Sequence, residues 1–350
     1  MIDSAKDIRL GEELDLQKLK AYFHKHLPGF SGEIEVNQFP SGFSNLTYLI
    51  KTEGQEYVLR RPPFGANIKG GHDMAREYRV LKALEPFYHK APKAVLFCED
   101  HEVMGADFYL MERVRGVILR GQPAADLDLN PQVMQSISRS TVNHLAELHR
   151  IDLKAAGLED FGKPDGYTQR QVEGWIGRYY KAETDTLESM NQTADWLQKN
   201  VPEQTVISLI HNDYKYDNLV LNPDDLSDIR AVLDWEMATV GNPLMDMGTS
   251  LAYWAEAGDS DILKQFSLTW LPGNFTRKEF VDHYAERTGF DLSDQLFYYV
   301  FGAFKIGVII QQIYARYKKG LTNDPRFAHL IYAVKACGAN AIKAIEKDAI

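Results

Sequence analysis

The feature that most constrains this chain is an eight-residue polar run, His211-Asn212-Asp213-Tyr214-Lys215-Tyr216-Asp217-Asn218, set between short apolar segments of β-character. Val206 to Ile210 precedes the run and Leu219 to Leu221 follows it. Polar side chains between such segments belong to a loop exposed at a sheet edge. Another apolar segment, Ile229 to Leu233, comes after the turn-forming Asn222-Pro223-Asp224-Asp225 and leads into Asp234. If these two segments pair as a hairpin, Asn218 at the start of one lies beside Asp234 at the end of the other. An oxygen-rich pair of that kind suits Mg²⁺, which keeps several waters and takes one or two protein oxygens together with substrate phosphates. Asp213 stays available to accept a proton from an attacking hydroxyl. Lys215 can place its ammonium on a transferred phosphate.

The residues before this region read as an α+β lobe. Asp15 to Leu27 has apolar residues at helical spacing, and Ala75 to Leu84 does the same through Val80, Leu81 and Leu84. Ile34 to Phe39, Leu46 to Lys51, Glu56 to Arg61 and Phe108 to Val114 read as strands, the third ended by Pro62-Pro63. From Asn130 to Asn200 the period is helical, notably over Ile137 to His149 and Val172 to Met190, and it is helical again after Asp246. The expected organisation is two lobes: residues 1–114 sheet-rich, residues 115–350 mainly helical. Length agrees, since 350 residues correspond to about two ordinary domains.

Glu77 shares a helical face with Val80, Leu81 and Leu84, which turns its carboxylate inward. A buried carboxylate requires a partner. Arg60, at the end of the preceding strand, is the natural one; for contact with a nucleotide phosphate, Arg61, facing the other way on the strand, is its rival. Ser41-Gly42-Phe43-Ser44-Asn45 joins two strands, and its N–H groups and hydroxyls can cradle phosphate oxygens. No GxxxxGK[ST] occurs, which argues against a P-loop enzyme. His144 and His149 are five apart, off a common helical face, and no His/Cys set has zinc spacing.

Charge and cysteine usage narrow the function classes. Thirty-nine basic against forty-nine acidic residues give a net charge of −10, which argues against general attraction to nucleic acid. Two cysteines, Cys98 and Cys337, form no disulfide framework, and the polar amino terminus carries no apolar signal segment. A cytoplasmic location is expected. The apolar run Tyr298 to Ile310 is too short to cross a bilayer and contains Lys305, so it reads as a buried helix. No membrane insertion is expected, and a monomer or a homodimer fits equally.

The pattern HxDxxxxN followed by a strand-borne Asp resembles the protein-kinase-like fold, and specifically the aminoglycoside phosphotransferase-type small-molecule kinases. Val232-Leu233-Asp234-Trp235-Glu236 differs from protein kinases, which have Phe-Gly after the Asp. With Gly241-Asn242-Pro243-Leu244-Met245-Asp246, it is similar to phosphotransferase domains related to those fused to some acyl-CoA dehydrogenases. The resemblance implies a two-lobed fold with an antiparallel sheet and helix in the first lobe. It implies transfer of the γ-phosphoryl of ATP or GTP to a small hydroxyl-bearing molecule, with Asp213 as base and Asn218 and Asp234 on Mg²⁺ or Mn²⁺. Arg60 stands where the family has a phosphate-contacting lysine paired to the helix Glu. The Glu112 carbonyl and Val114 amide would meet the adenine edge, with Met111 behind them. Asp246 would brace the catalytic loop, and His211 would shape it by hydrogen bonding. A nucleotide-binding module without transferase activity is the alternative. Trp175, Tyr179, Tyr180, Trp254 and Tyr299 read either as an acceptor-site wall or as ordinary core.

Overall fold

Strand pairing organises the first part of the chain. The computed structural model describes residues 4–40, 45–65, 73–121, 127–322 and 324–350. These form two compact units, one of Met1–Ile118, Val220–Asp224 and Ile229–Ala238, the other of Leu119–Leu219, Asp225–Asp228 and Thr239–Ile350.

In the first unit, α1 (Leu16–His26) begins at Asp15, whose carboxylate caps the N–H groups of Gln17 and Lys18 at 3.1 Å. Then come β1 (Glu35–Gln38), β2 (Leu46–Lys51), β3 (Glu56–Arg61), α2 (Met74–Leu84), β4 (Ala94–Cys98), the short α3 (His101–Met104) and β5 (Phe108–Glu112). The sheet is antiparallel in the order β1-β2-β3-β5-β4. Strand β4 has no counterpart among the expected strands. Its five-residue Ala-Val-Leu-Phe-Cys run follows Pro92 and pairs with β5 through a register shift between Ala94 and Leu96. Alternation along β3 divides the sheet. Leu46, Tyr48, Leu59, Phe108 and Leu110 pack on one face with Leu19 and Phe23 of α1 and Val103 and Met104 of α3. α2 packs against β4 and β5, burying Glu77, Val80, Leu81 and Leu84.

The second unit is mostly helical. It contains α4 (Pro131–His149), α5 (Tyr167–Ala182), α6 (Glu188–Lys199) and β6 (Ser208–Ile210). The continuous helix expected over Val172 to Met190 is two helices. Thr184-Asp185-Thr186 favours local turns over helix interior, and Gln311 Nε2 captures the Ala182 carbonyl at 2.8 Å and Thr184 Oγ1 at 2.9 Å. The hairpin of β7 (Leu219–Asn222) and β8 (Asp225–Val232), which groups largely with the first unit, turns through Pro223-Asp224. β9 (Thr239–Gly241) pairs with β6, followed by α7 (Pro243–Tyr253), α8 (Asp261–Lys264), α9 (Arg277–Thr288), α10 (Gln295–Lys318) and α11 (Leu330–Lys347).

Helix α10 is the centre of this unit, packing on α5, α6, α7 and α11. It is longer than the apolar run suggested, and its length and composition alone would allow it to cross a membrane. However, 78% of its apolar window is buried inside the unit. Its backbone passes so close to α7 that a Cβ on Gly302 would lie 2.1 Å from the Gly248 oxygen, and one on Gly248 2.1 Å from the Tyr298 oxygen. Only glycine permits that approach.

Candidate active site

The polar run 211–218 lies in the second unit and is held from beneath. Asp246, in the first turn of α7, is fully buried and accepts hydrogen bonds from the His211 N–H (Oδ2, 2.7 Å) and the Asn212 N–H (Oδ1, 2.8 Å). Its Oδ2 also meets Nε2 of the buried His149, 3.1 Å away on the last turn of α4. The Nδ1 atom of that histidine is 2.6 Å from the Tyr284 hydroxyl of α9. Burial pushes the Asp246 carboxyl up, but His149 and the His211 N–H outweigh it and hold the group below the ordinary Asp value. Asp246 is therefore a brace. His211 is buried too, and its Nδ1 accepts from the Asp213 N–H at 3.3 Å, a loop-shaping contact.

Between these residues the backbone takes an unusual turn. Asn212 has φ +67°, a left-handed conformation that Asn tolerates better than most residues. Its carbonyl accepts from Lys305 Nζ at 2.9 Å. Lys305, on α10, is 3% exposed. Burial lowers its pKa to about 8, with Asp246 and Asp213 opposing.

This geometry gathers Asp213, Lys215 and Asn218. Lys215 Nζ stands 3.0 Å from Asp213 Oδ1 and 2.9 Å from Oδ2, and 4.6 Å from the centre of the Tyr253 ring. Although burial works against the ammonium, Tyr253 and Asp213 raise its pKa above the ordinary lysine value. Asn218 Nδ2 donates to the Asp213 carbonyl (2.8 Å) and to Asp213 Oδ2 (3.0 Å). Two acceptors on one side fix the amide orientation and leave Oδ1 as its other face. Asp217, whose pKa burial raises to about 6 against Lys215 and Arg120, completes the cluster.

The remaining candidates lie in the first unit. Arg60 Nη1 meets Glu77 Oε1 at 2.6 Å, so the inward-facing Glu77 has the partner its burial demands. Burial raises the Glu77 pKa to about 7, opposed chiefly by Arg60. Arg60 Nη2 also lies 3.3 Å from Asp234 Oδ1 and 3.4 Å from Glu236 Oε2. Asn45 Nδ2 donates to the same Glu236 oxygen at 2.8 Å. Asp234 is left-handed at φ +68°, a second non-glycine residue in a conformation that concentrates at functional positions. Arg61, the rival of Arg60, projects from the opposite face of β3, away from Glu77. Met111 is buried in β5, Glu112 is exposed at its end, and Val114 follows it. Ser41, Gly42, Phe43 and Ser44 lie outside the described residues.

Asn218 of the second unit offers an amide oxygen, and Asp234 of the first unit a carboxylate. Among the described residues, no group of three or more His, Cys, Asp or Glu side chains could hold a metal.

Sequence reasoning missed Glu236, His149 and Lys305 as contributors. Only Lys305 left a signal, as the single charge inside an apolar run. Tyr179 packs on Phe304 and on Tyr180, which is 47% exposed, Trp254 packs on Tyr216 and Phe280, Tyr299 lies under Arg277, and the Trp175 ring is 5.8 Å from Lys305 Nζ.

Comparison with known proteins identifies the family and the fold. A family model described as the phosphotransferase enzyme family matches residues 35–281. Human acyl-CoA dehydrogenase family member 11 is 34% identical over 341 residues, covering 95% of this chain and 43% of that protein. The probable acyl-CoA dehydrogenase IBR3 of Arabidopsis thaliana is 29% identical over 340 residues, covering 91% of this chain and 41% of that protein. The chain thus spans less than half the length of these relatives. A crystal structure from Ralstonia eutropha, described as an aminoglycoside phosphotransferase, superposes with a TM-score of 0.79 at 31% identity, covering 95% of this chain and 99% of that one. Choline kinase from Cryptosporidium parvum shares the fold, with a TM-score of 0.68 at 15% identity over 95% of this chain and 97% of that one. The chain belongs to the phosphotransferase enzyme family, and its fold is the kinase-like one.

Proposed function

We propose that this protein transfers the γ-phosphoryl group of ATP or GTP to a hydroxyl group of a small molecule. Asp213 accepts the hydroxyl proton, the acceptor oxygen bonds to the γ-phosphorus, and the β–γ bridging bond breaks to release the nucleoside diphosphate. Lys215 contacts Asp213 directly and offers its ammonium to the transferred group. Arg60, fixed by Glu77, faces the nucleotide phosphates. Met111, Glu112 and Val114 take the adenine edge. Asn218 and Asp234 hold Mg²⁺, or Mn²⁺ in its place, and the ion when bound neutralises phosphate charge. Most of the acceleration comes from positioning and charge neutralisation.

The observation that carries this reading is the Asp213 carboxylate, fixed by Lys215 and Asn218 together. Asp213→Asn is expected to abolish phosphoryl transfer while nucleotide-dependent thermal stabilisation survives. Asp234→Ala is expected to remove the Mg²⁺-dependent part of that stabilisation. Activity retained in both variants sinks the assignment. The acceptor screen begins with hydroxyacyl compounds, because the relatives carry acyl-CoA dehydrogenase names, and extends to amino alcohols, sugars and aminoglycosides.

A second reading is a nucleotide-binding module without turnover. It is favoured by Arg60, which replaces a lysine and is engaged by three carboxylates. Mg-ATP binding with no transfer on the full hydroxyl panel would select it.

A further inference from the structure

Two successive arginines on β3 meet opposite fates. Arg60 is neutralised by Glu77, Asp234 and Glu236 on one face of the sheet. Arg61, on the other face, is only 3% exposed. Its Nε donates to the Pro62 carbonyl at 3.0 Å. Among the described residues no carboxylate lies within ion-pair distance of it. Tyr48, on the same face, has its hydroxyl committed to the Glu12 carbonyl at 2.7 Å. Desolvation holds the Arg61 pKa below the ordinary arginine value, with Tyr48 alone opposing it. A largely buried cation with no carboxylate beside it among the described residues can gain a counter-ion from a bound ligand.

The guanidinium opens into a cavity of about 360 Å³ in the first unit, within the range of small-molecule sites. Phe64 fixes the plane of the guanidinium from 3.7 Å above it. Leu14, Val103 and Met104 supply apolar wall. The rim is mixed: Lys18 and His101 face Glu13, Asp15 and Glu102. Asp15 is occupied by its helix cap, Glu13 by the Gly11 N–H and His101 by Asp107. Such a rim disfavours polyanions, including nucleotides, and tolerates a single negative charge. Two terminal nitrogens in a planar fork match a carboxylate.

We propose that this cavity is a binding site for a small aliphatic monocarboxylate, its head group held by Arg61 and its short chain lying against Leu14, Val103 and Met104. The site is separate from the residues assigned to phosphoryl transfer and stands whether or not that assignment holds.

The test is calorimetric titration of the full 350-residue chain with hexanoate, hexanol and inorganic phosphate. Hexanoate is expected to bind saturably at one site, and hexanol and phosphate not to. Arg61→Met should weaken hexanoate binding at least about tenfold. Arg61→Lys, which keeps the charge and loses the fork, should weaken it less. Phe64→Ala, at a 45% exposed position, should weaken it without unfolding the chain. If Arg61→Met does not fold, Arg61→Lys and Phe64→Ala decide the matter. Absence of saturable hexanoate binding overturns the proposal. So does binding unchanged by the folded variants, or phosphate binding in preference to hexanoate.

Discussion

Replacing Asp246 with Asn tests the brace beneath the 211–218 loop. The carboxylate accepts two backbone N–H groups at 2.7 and 2.8 Å and faces His149 at 3.1 Å. An amide of the same shape presents one oxygen and one NH₂, so in either orientation one backbone N–H faces a donor. The loss includes a charge-assisted hydrogen bond, about 1.5–3 kcal/mol, and an unsatisfied buried N–H, about 1–3 kcal/mol. Relief of the carboxylate's own desolvation offsets part of this, leaving a net loss of about 3 kcal/mol. Urea unfolding followed by fluorescence and circular dichroism should show the midpoint falling by that amount divided by the m-value. The pH dependence carries a sign. Asp246 is held below its unfolded value, so its contribution is present above the ordinary Asp pKa and is lost as pH falls through the lower folded value. The gap between wild type and variant should therefore persist at neutral pH and close only in acid. A neutral-pH loss below about 1 kcal/mol would refute the brace, since it would mean that one hydrogen bond at most is at stake.

Two further outcomes follow from α10. Lys305 has a folded pKa of about 8 against the ordinary 10.5, so the unfolded chain holds more protons between these values and stability contributed by this group rises with pH there. The stability of wild type minus that of Lys305→Met should climb by about 3 kcal/mol in total from pH 8 to above 10; a flat difference in urea titrations would contradict it. Gly302→Ala drives a Cβ to 2.1 Å from the Gly248 oxygen and should cost more than about 3 kcal/mol, read as a large drop in melting temperature; a melt within a few degrees of wild type would show that the helices separate freely.

The sequence revealed most where one residue's environment is set by its own element. β2 and β3 begin and end where alternation and Pro62-Pro63 place them, and Asp15 starts α1 because its carboxylate caps locally. Glu77 was readable as buried from helical spacing, and its need for a cation led to Arg60. What escaped notice depends on distant partners. The break between α5 and α6 needs Gln311 from α10 to take the Ala182 carbonyl. His149 looked like one of two unrelated histidines because its partners, Asp246 and Tyr284, arrive from α7 and α9. β4 is short, and its pairing partner comes after an intervening helix. Glu236 is adjacent to a recognised motif, yet only its contacts with Asn45 and Arg60 show that it contributes.

The residue before Asp213 is tethered at both of its amides: an anion on α7 takes the N–H of Asn212, and a cation on α10 takes its carbonyl. Those two helices are themselves pressed together at Gly248 and Gly302. The aim of the Asp213 carboxylate is thus dictated from the interior. Descendants of this chain can change their solvent-facing side chains without re-aligning Asp213.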